Sequence, residues 1–216
     1  MASEFPRRPR LEKGALLVYE SNEPNAPLTQ KIEFLYNPEQ IRRSFAPRAP
    51  QQQRQQTGAP QDVLRVAGPP VETITLSIVL DATDQLEQPQ ANQMVAQNGL
   101  HPMLATLELL MVPTTQRMNT IEQQAADGAV QVSEASTPLV LLAWGRSRVV
   151  PVLLSSMTVT EELFSPRLDP IRARLELGLR VLTWVEFSSA SAGRDAYFGY
   201  QKKKEELARL ASGGTR

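Results

Sequence analysis

The sequence contains no cysteine, so a disulfide and a thiolate-ligated metal site are both excluded. No apolar run reaches the roughly 18 residues that a membrane span needs, and direct membrane insertion is therefore not expected. The N-terminus also lacks the apolar stretch of a signal peptide. These absences predict a protein that is assembled in the cytoplasm and leaves it only as part of a larger particle.

An excess of positive charge is also missing. Lys and Arg together number 23, as do Asp and Glu, so the formal net charge is zero. A nucleic-acid-binding protein usually shows a basic excess or patch, and we expect no nucleic-acid partner. Only the opening "MASEFPRRPR" is locally basic, and we interpret residues 1–13 as a flexible N-terminal arm.

The usual signatures of catalysis are sparse. The only histidine, His101, precedes Pro102 at a predicted helix start, and no G-x-S-x-G, Walker or G-x-G-x-x-G motif occurs. Metal sites gather His, Cys or close carboxylates, which this sequence does not cluster. We therefore expect no enzyme, no cofactor and no metal. A free-standing β-barrel hydrolase remains an alternative, because a pair of catalytic carboxylates leaves no linear motif.

Alternating apolar and polar residues predict most of the structure as β-strands. The predicted strands are 14–20, 31–37, 71–83, 138–145, 148–164 and 171–187. In the last of these, Leu175, Leu177 and Leu179 face inward while Arg172, Arg174 and Arg180 face outward. We expect a mainly β fold of the α+β class with one or two helices, in which an antiparallel β-barrel or sandwich carries a packed helix and long loops.

The remaining segments predict one core helix, two long loops and a tail. "GLHPMLATLELLMVP" has an apolar stripe of helical period, made of Leu104, Leu107, Leu110 and Met111. Residues 45–70 and 114–137 are polar and are predicted as long loops or arms of a single domain, 14–187. Residues 45–70 fit either a flexible surface loop or an arm that orders on a partner. The tail, 188–216, includes "YQKKKEELARLA", which has helical propensity.

Five segments in this order resemble a known family: "KIEFLYNPEQI", "ETITLSIVLDATD", "GLHPMLATLELLM", "PLVLLAWG" and "VVPVLLSSMTVTEELFSPRLDPIRARLELGLRVL". The chain from about Gly14 to Val185 is similar to the tube-like N-terminal domain of baseplate hub and tube-initiator proteins. These belong to phage-tail-like contractile injection systems of the antifeeding-prophage type. The order of the segments carries the resemblance, above all "YNP" after an early strand and the passage from Thr160 to Ala173.

The resemblance implies a structural protein that forms a six-fold ring and joins the inner tube to the spike hub in the baseplate. Implied partners are further copies of the chain, the inner-tube protein, the spike or hub protein and baseplate wedge proteins. An ordinary inner-tube or tube-terminating subunit is the alternative. Many relatives continue into a LysM module. In this sequence about 16 residues follow Tyr200, which are too few to form one.

Two sets of arginines are the candidate partner-interface residues. Arg48, Arg54 and Arg65 lie in the polar segment 45–70, which could reach a neighbouring subunit in a stacked ring. Arg172, Arg174 and Arg180 lie on the outward face of the last strand, where they would line a lumen or contact a neighbour. Both assignments follow from position in the sequence rather than from a family motif.

Overall fold

The computed structural model describes residues 12–48, 68–112, 114–126 and 138–213. The strands are β1 (Ala15–Tyr19), β2 (Leu28–Glu33), β3 (Ile41–Ala46), β4 (Val71–Asp81), β5 (Leu139–Trp144), β6 (Arg148–Phe164) and β7 (Pro170–Val181). The helices are α1 (Thr83–Leu86), α2 (Gln93–Asn98), α3 (His101–Glu108), α4 (Thr115–Ala126) and α5 (Ala192–Ala211), with a 3-10 turn at Trp184–Glu186. The mainly β, α+β class predicted from the sequence is confirmed.

All seven strands belong to one sheet in the order β2-β1-β5-β6-β7-β4-β3, and every neighbouring pair is antiparallel. The sheet is open, with β2 and β3 as its two edge strands. It is therefore neither the closed barrel nor the two-sheet sandwich that the strand pattern also allowed. After β2 the chain passes through Asn37 and Pro38 and enters β3 at the opposite edge of the sheet, so these two consecutive strands do not pair with each other.

One face of the sheet forms the core. Alternate residues of β4 and β7 are buried, as the period of two requires. Helix α3 and the turn after it lie on this face. They contribute three residues of the predicted stripe, Leu104, Leu107 and Leu110, to the core, whereas Met111 stays 38% exposed. The shared core contains residues of β1, β4, β5, β6, β7, α2, α3 and α5.

Several predicted boundaries were wrong. The second strand spans Leu28–Glu33 rather than 31–37, and the last strand ends at Val181. Strand β3 was missed because "IRRSFA" is rich in arginine; pairing with β4 overrides its weak β-propensity. The predicted loop 114–137 contains helix α4, since its Gln, Met, Glu and Ala residues are good helix formers. Residues 127–137 lie outside the described part of the chain.

The C-terminal segment packs on the sheet. Helix α5 begins at Ala192, earlier than the predicted helical stretch, and the Ser191 hydroxyl accepts a hydrogen bond from the Arg194 N–H as its N-cap. Tyr197 and Tyr200 are buried in the shared core. The sequence missed this docking because the charges of "QKKKEELAR" dominate the pattern that follows those two tyrosines.

The "FLYNP" passage fixes how the chain leaves β2. Phe34 is fully buried and packs against Trp144, with ring centroids 6.4 Å apart. The Asn37 side chain accepts a hydrogen bond from the Gly14 N–H and donates one to the Glu12 carbonyl, each 2.9 Å long. Asn37 thus ties the turn after β2 to the residues that precede β1.

Candidate assembly surface

Four strands, β6, β7, β4 and β3, carry a continuous polar face on the side away from the core. We call it the outer face. Its residues alternate with the core-facing ones along each strand. The outer face consists of Leu153, Ser156, Thr158, Thr160 and Glu162 of β6, Arg172, Arg174, Glu176 and Arg180 of β7, Thr73, Thr75, Ser77, Val79 and Asp81 of β4, and Arg42 and Ser44 of β3.

Arg172 and Arg174 form an ion-pair cluster with carboxylates of the same chain. Both face Glu162 at 3.6 Å, and Arg172 also lies 3.7 Å from Asp81. Hydrogen bonds from Thr83, with the nearby Arg172 charge adding to them, lower the pKa of Asp81 below its ordinary value. The predicted orientation of both arginines is confirmed, and their charges are balanced within the chain.

Arg180 and Arg48 meet at a second carboxylate, Glu186. Arg180 forms an ion pair with Glu186, and Arg48 approaches it to 3.5 Å. The Thr183 N–H and hydroxyl donate to the same carboxylate at 2.7 and 2.9 Å. Burial acts to raise the pKa of Glu186, but the hydrogen bonds from Thr183 and Arg180 outweigh it, so that pKa lies below its ordinary value.

The structure therefore groups the described arginines differently from the two predicted sets, with Arg172 beside Arg174 and Arg180 beside Arg48. Arg172 and Arg180 stand eight positions apart on β7, which separates the groups by roughly 26 Å along the strand. Arg54 and Arg65 lie outside the described residues. Since each group has its own carboxylate, these arginines do not form a single basic patch.

The edges of this four-strand unit carry a further feature. Within residues 12–48, 68–112, 114–126 and 138–213, β3 pairs only with β4. Strand β6 has 17 residues, but β5 pairs only with Arg148–Val152, so Leu153–Phe164 is paired on the β7 side alone. Unpaired N–H and C=O groups on a sheet edge are a template for pairing with another chain.

The family comparison decides what kind of protein carries these edges. The family described as contractile injection system tube protein matches residues 10–183. The chain belongs to this family. Membership gives it a structural role in a phage-tail-like system and implies oligomeric assembly with other components of that system. A comparison with curated proteins finds no match to the chain.

Residue types that bind metal ions are dispersed in the part of the chain that the structure describes. No group of three or more His, Asp or Glu residues there is arranged to hold a metal ion. His101 is exposed at the start of α3. A cavity of about 440 Å³ opens on the outer face between the turn 36–40 and the strands β4 and β7, with Arg172 and Arg174 in its lining. No helix in the described ranges is long and apolar enough to cross a membrane.

One feature of the sequence indicates the free half of β6. The fourth and fifth predicted strands, 138–145 and 148–164, differ greatly in length, so a hairpin between them must leave the far half of the longer strand without that partner. The edge at β3 had no such signal, because the strand itself was not predicted.

Proposed function

We propose that this tube-family chain forms a closed ring in which β3 of one copy pairs with the free half of β6 of the next copy. The unpaired edges on either side of the four-strand unit carry the proposal. A contact between two different surfaces of the same chain is heterologous, and such contacts generate rings when the rotation closes. Edge-to-edge pairing also removes two exposed sheet edges at once.

Strand direction supports this pairing. Successive strands in the order β6-β7-β4-β3 are antiparallel, so β6 and β3 of one chain run in opposite directions. In a ring all copies share one orientation about the axis, and β3 of a neighbour therefore meets β6 antiparallel. The sheets of all copies would join into one antiparallel wall, with the outer face turned toward the lumen or toward a neighbour.

The positions of β3 and of the free half of β6 along the strand direction also support this pairing. Across the ladders, Leu154 is level with Leu179, Ile74 and Arg43 in turn. The free half of β6 therefore starts level with β3 and extends beyond its first residue, Ile41. The overhang leaves room for the axial shift between neighbouring strands that a closed, tilted barrel requires.

In the particle, we propose a six-fold ring between the inner tube and the spike hub of the baseplate, without catalytic activity. The resemblance of the "YNP" and Thr160–Ala173 passages supports this location. An ordinary inner-tube or tube-terminating subunit fits the ring equally well. The ring would be assembled in the cytoplasm, for a particle that is released or docked at a membrane.

Cysteine cross-linking tests the pairing cleanly, because the chain has no cysteine of its own. Ser44→Cys on β3 is combined in turn with Leu153→Cys, Thr158→Cys or Thr160→Cys, which sample different axial shifts of β6. Within one chain β3 and β6 are three strand spacings apart, roughly 14 Å. A disulfide needs Cβ atoms about 4 Å apart, so only a neighbouring copy can supply the partner thiol.

The expected result is a ladder of covalent oligomers under oxidation for at least one of the three pairs. The matched control replaces Ser44→Cys with Lys31→Cys, an exposed position on the outer side of the other edge strand, β2, and should give no ladder. Monomers from all three pairs, in preparations that are oligomeric by light scattering, would count against this pairing. A cryo-EM map of the particle that shows the layer of the ring distinguishes the hub position from the tube position.

A further inference from the structure

Helix α5 and strand β3 meet at the buried carboxylate of Glu72. Glu72 is 4% exposed and stands opposite Phe45 in the β3–β4 ladder. From β3, the Arg43 Nε donates to its Oε1 at 2.8 Å. From α5, the Tyr200 hydroxyl donates to the same oxygen at 3.1 Å, and Lys204 Nζ donates to Oε2 at 3.1 Å.

Tyr200 joins the two elements directly as well. Its hydroxyl accepts a hydrogen bond of 2.8 Å from Arg43 Nη2 while it donates to Glu72. Tyr200 is 157 positions from Arg43 and 128 positions from Glu72 in the sequence, so the contacts connect the end of the chain to its first third. A buried carboxylate that loses a donor keeps its desolvation cost without the compensating bond, which makes each donor important.

Phe45 adds an aromatic contact to the same connection. The Arg43 guanidinium lies 5.0 Å and Lys204 Nζ lies 5.7 Å from the centroid of its ring. Lys204 also lies 4.0 Å from the centroid of Tyr200. Arg43 and Phe45 are the residues through which the second half of β3 faces the core side, and both contact α5.

Strand β3 needs such support. It has six residues, four of them exposed, and in the described ranges its only ladder is the one to β4. A short edge strand with one ladder is prone to local opening. The contacts to α5 restrain it from the core side and leave its outer edge clear.

We propose that α5 is a positioning element for assembly: Tyr200 and Lys204, acting through Glu72, hold β3 in the extended conformation that accepts β6 of the next copy. This inference rests on the proposed ring. It assigns the C-terminal helix, which lies beyond the family match, a function in making the β3 edge ready for pairing. Loss of the helix contacts then impairs assembly before it unfolds the domain.

Hydrogen exchange and cross-linking together test this inference. The variant is Tyr200→Phe combined with Lys204→Met, which keeps both apolar stems and removes the two donors that α5 supplies to Glu72. The matched control is Lys203→Met on the same helix, where Lys203 pairs with Glu206 rather than with the sheet. Amide exchange is measured on the monomeric chain for β3 and for β5, and ring formation is measured by the cysteine ladder.

We expect exchange in β3 to be at least 10-fold faster in the double variant, exchange in β5 to be unchanged, and the ladder to be lost. With Tyr200 intact, Lys204→Arg should keep most of the exchange protection of β3 and most of the ladder. If the double variant fails to fold, Lys204→Met alone serves, because this side chain is 35% exposed and lies at the rim of the cluster.

Unchanged amide exchange in β3 would overturn the inference, whether or not the ring forms. Faster β3 exchange with a normal ladder would overturn the role in assembly. If the chain with native Tyr200 and Lys204 gives no ladder while β3 exchange still responds to the double variant, the positioning of β3 is supported and the proposed ring has failed.

Discussion

Gly178 on β7 lies opposite Ser156 on β6, and the Ser156 hydroxyl occupies the space where a Cβ of residue 178 would stand. The ladder register shifts between Leu154 and Ser156, which leaves Ser155 as the extra residue of a β-bulge. The Ser155 hydroxyl donates to the Gly178 carbonyl at 2.9 Å. A bulge bends a strand and increases its twist, so this contact fixes where the long β6–β7 hairpin curves.

Gly178→Ala should destabilise the domain by about 1–3 kcal/mol, since the new methyl group collides with Ser156 and the bulge must shift. Chemical unfolding measures the change. Combining it with Ser156→Ala should recover much of the loss, because the Ser156 Cβ stands at an ordinary contact distance of 3.5 Å from the added atom.

The matched control is Gly199→Ala. Gly199 lies inside α5, and nothing stands within 4 Å of the added Cβ. Alanine is the better helix former, so this change should stabilise the chain by about 0.5–1 kcal/mol. Equal losses for both glycines would show that the contact with Ser156 does not determine the effect.

Asn37→Ala should cost about 1–2 kcal/mol of unfolding free energy, because it removes an acceptor for the Gly14 N–H and a donor to the Glu12 carbonyl. Asn98→Ala is the control, since among the described residues the Asn98 side chain bonds only to the Met94 carbonyl, one turn earlier in its own short helix. It should stay within about 0.5 kcal/mol of the parent. Similar losses at the two positions would argue against a bracing role for the "YNP" turn.

Alkaline pH should weaken the domain through Tyr200. Burial, with the Glu72 charge adding to it, raises the pKa of Tyr200 to about 12 from an ordinary value of 10.0. The folded chain keeps the phenol protonated to higher pH than the unfolded chain does, so this contribution is intact below about pH 10 and is lost as the pH rises toward 12. Between pH 9 and 12, the free energy of unfolding measured in urea should fall more steeply with pH for the parent than for Tyr200→Phe. Parallel curves would exclude this linkage.

Arg172→Glu combined with Arg174→Glu should spare the fold and impair ring formation. The exposed ion pairs that it breaks contribute roughly 0–1 kcal/mol each, so circular dichroism should remain that of a folded chain. The reversal adds two negative charges beside Asp81 and Glu162, and like charges at an interface cost several kcal/mol. Arg146→Glu, in the turn before β6, is the control. Rings at normal yield from the double variant would mean that the outer face tolerates either charge.

The sequence predicted the parts of the fold that depend only on the period of its apolar and polar residues. Alternation placed Leu175, Leu177 and Leu179 in the core and Arg172 and Arg174 outside, because one face of β7 packs on the core and the other does not. It could not predict β3 or the docking of α5. Both depend on contacts between distant residues, Arg43 with Glu72 and Tyr200, which no local pattern encodes. The carboxylate partners of the candidate arginines were missed for the same reason.

The central claim is that copies of this chain join by pairing β3 with the free half of β6. A cryo-EM reconstruction of the assembled ring tests it most directly. The account predicts that β3 of one copy lies about 4.8 Å from β6 of the next, antiparallel, with the outer face of every copy continuing around one wall. A ring in which β3 and Leu153–Phe164 face solvent, with its subunits joined elsewhere, would contradict it.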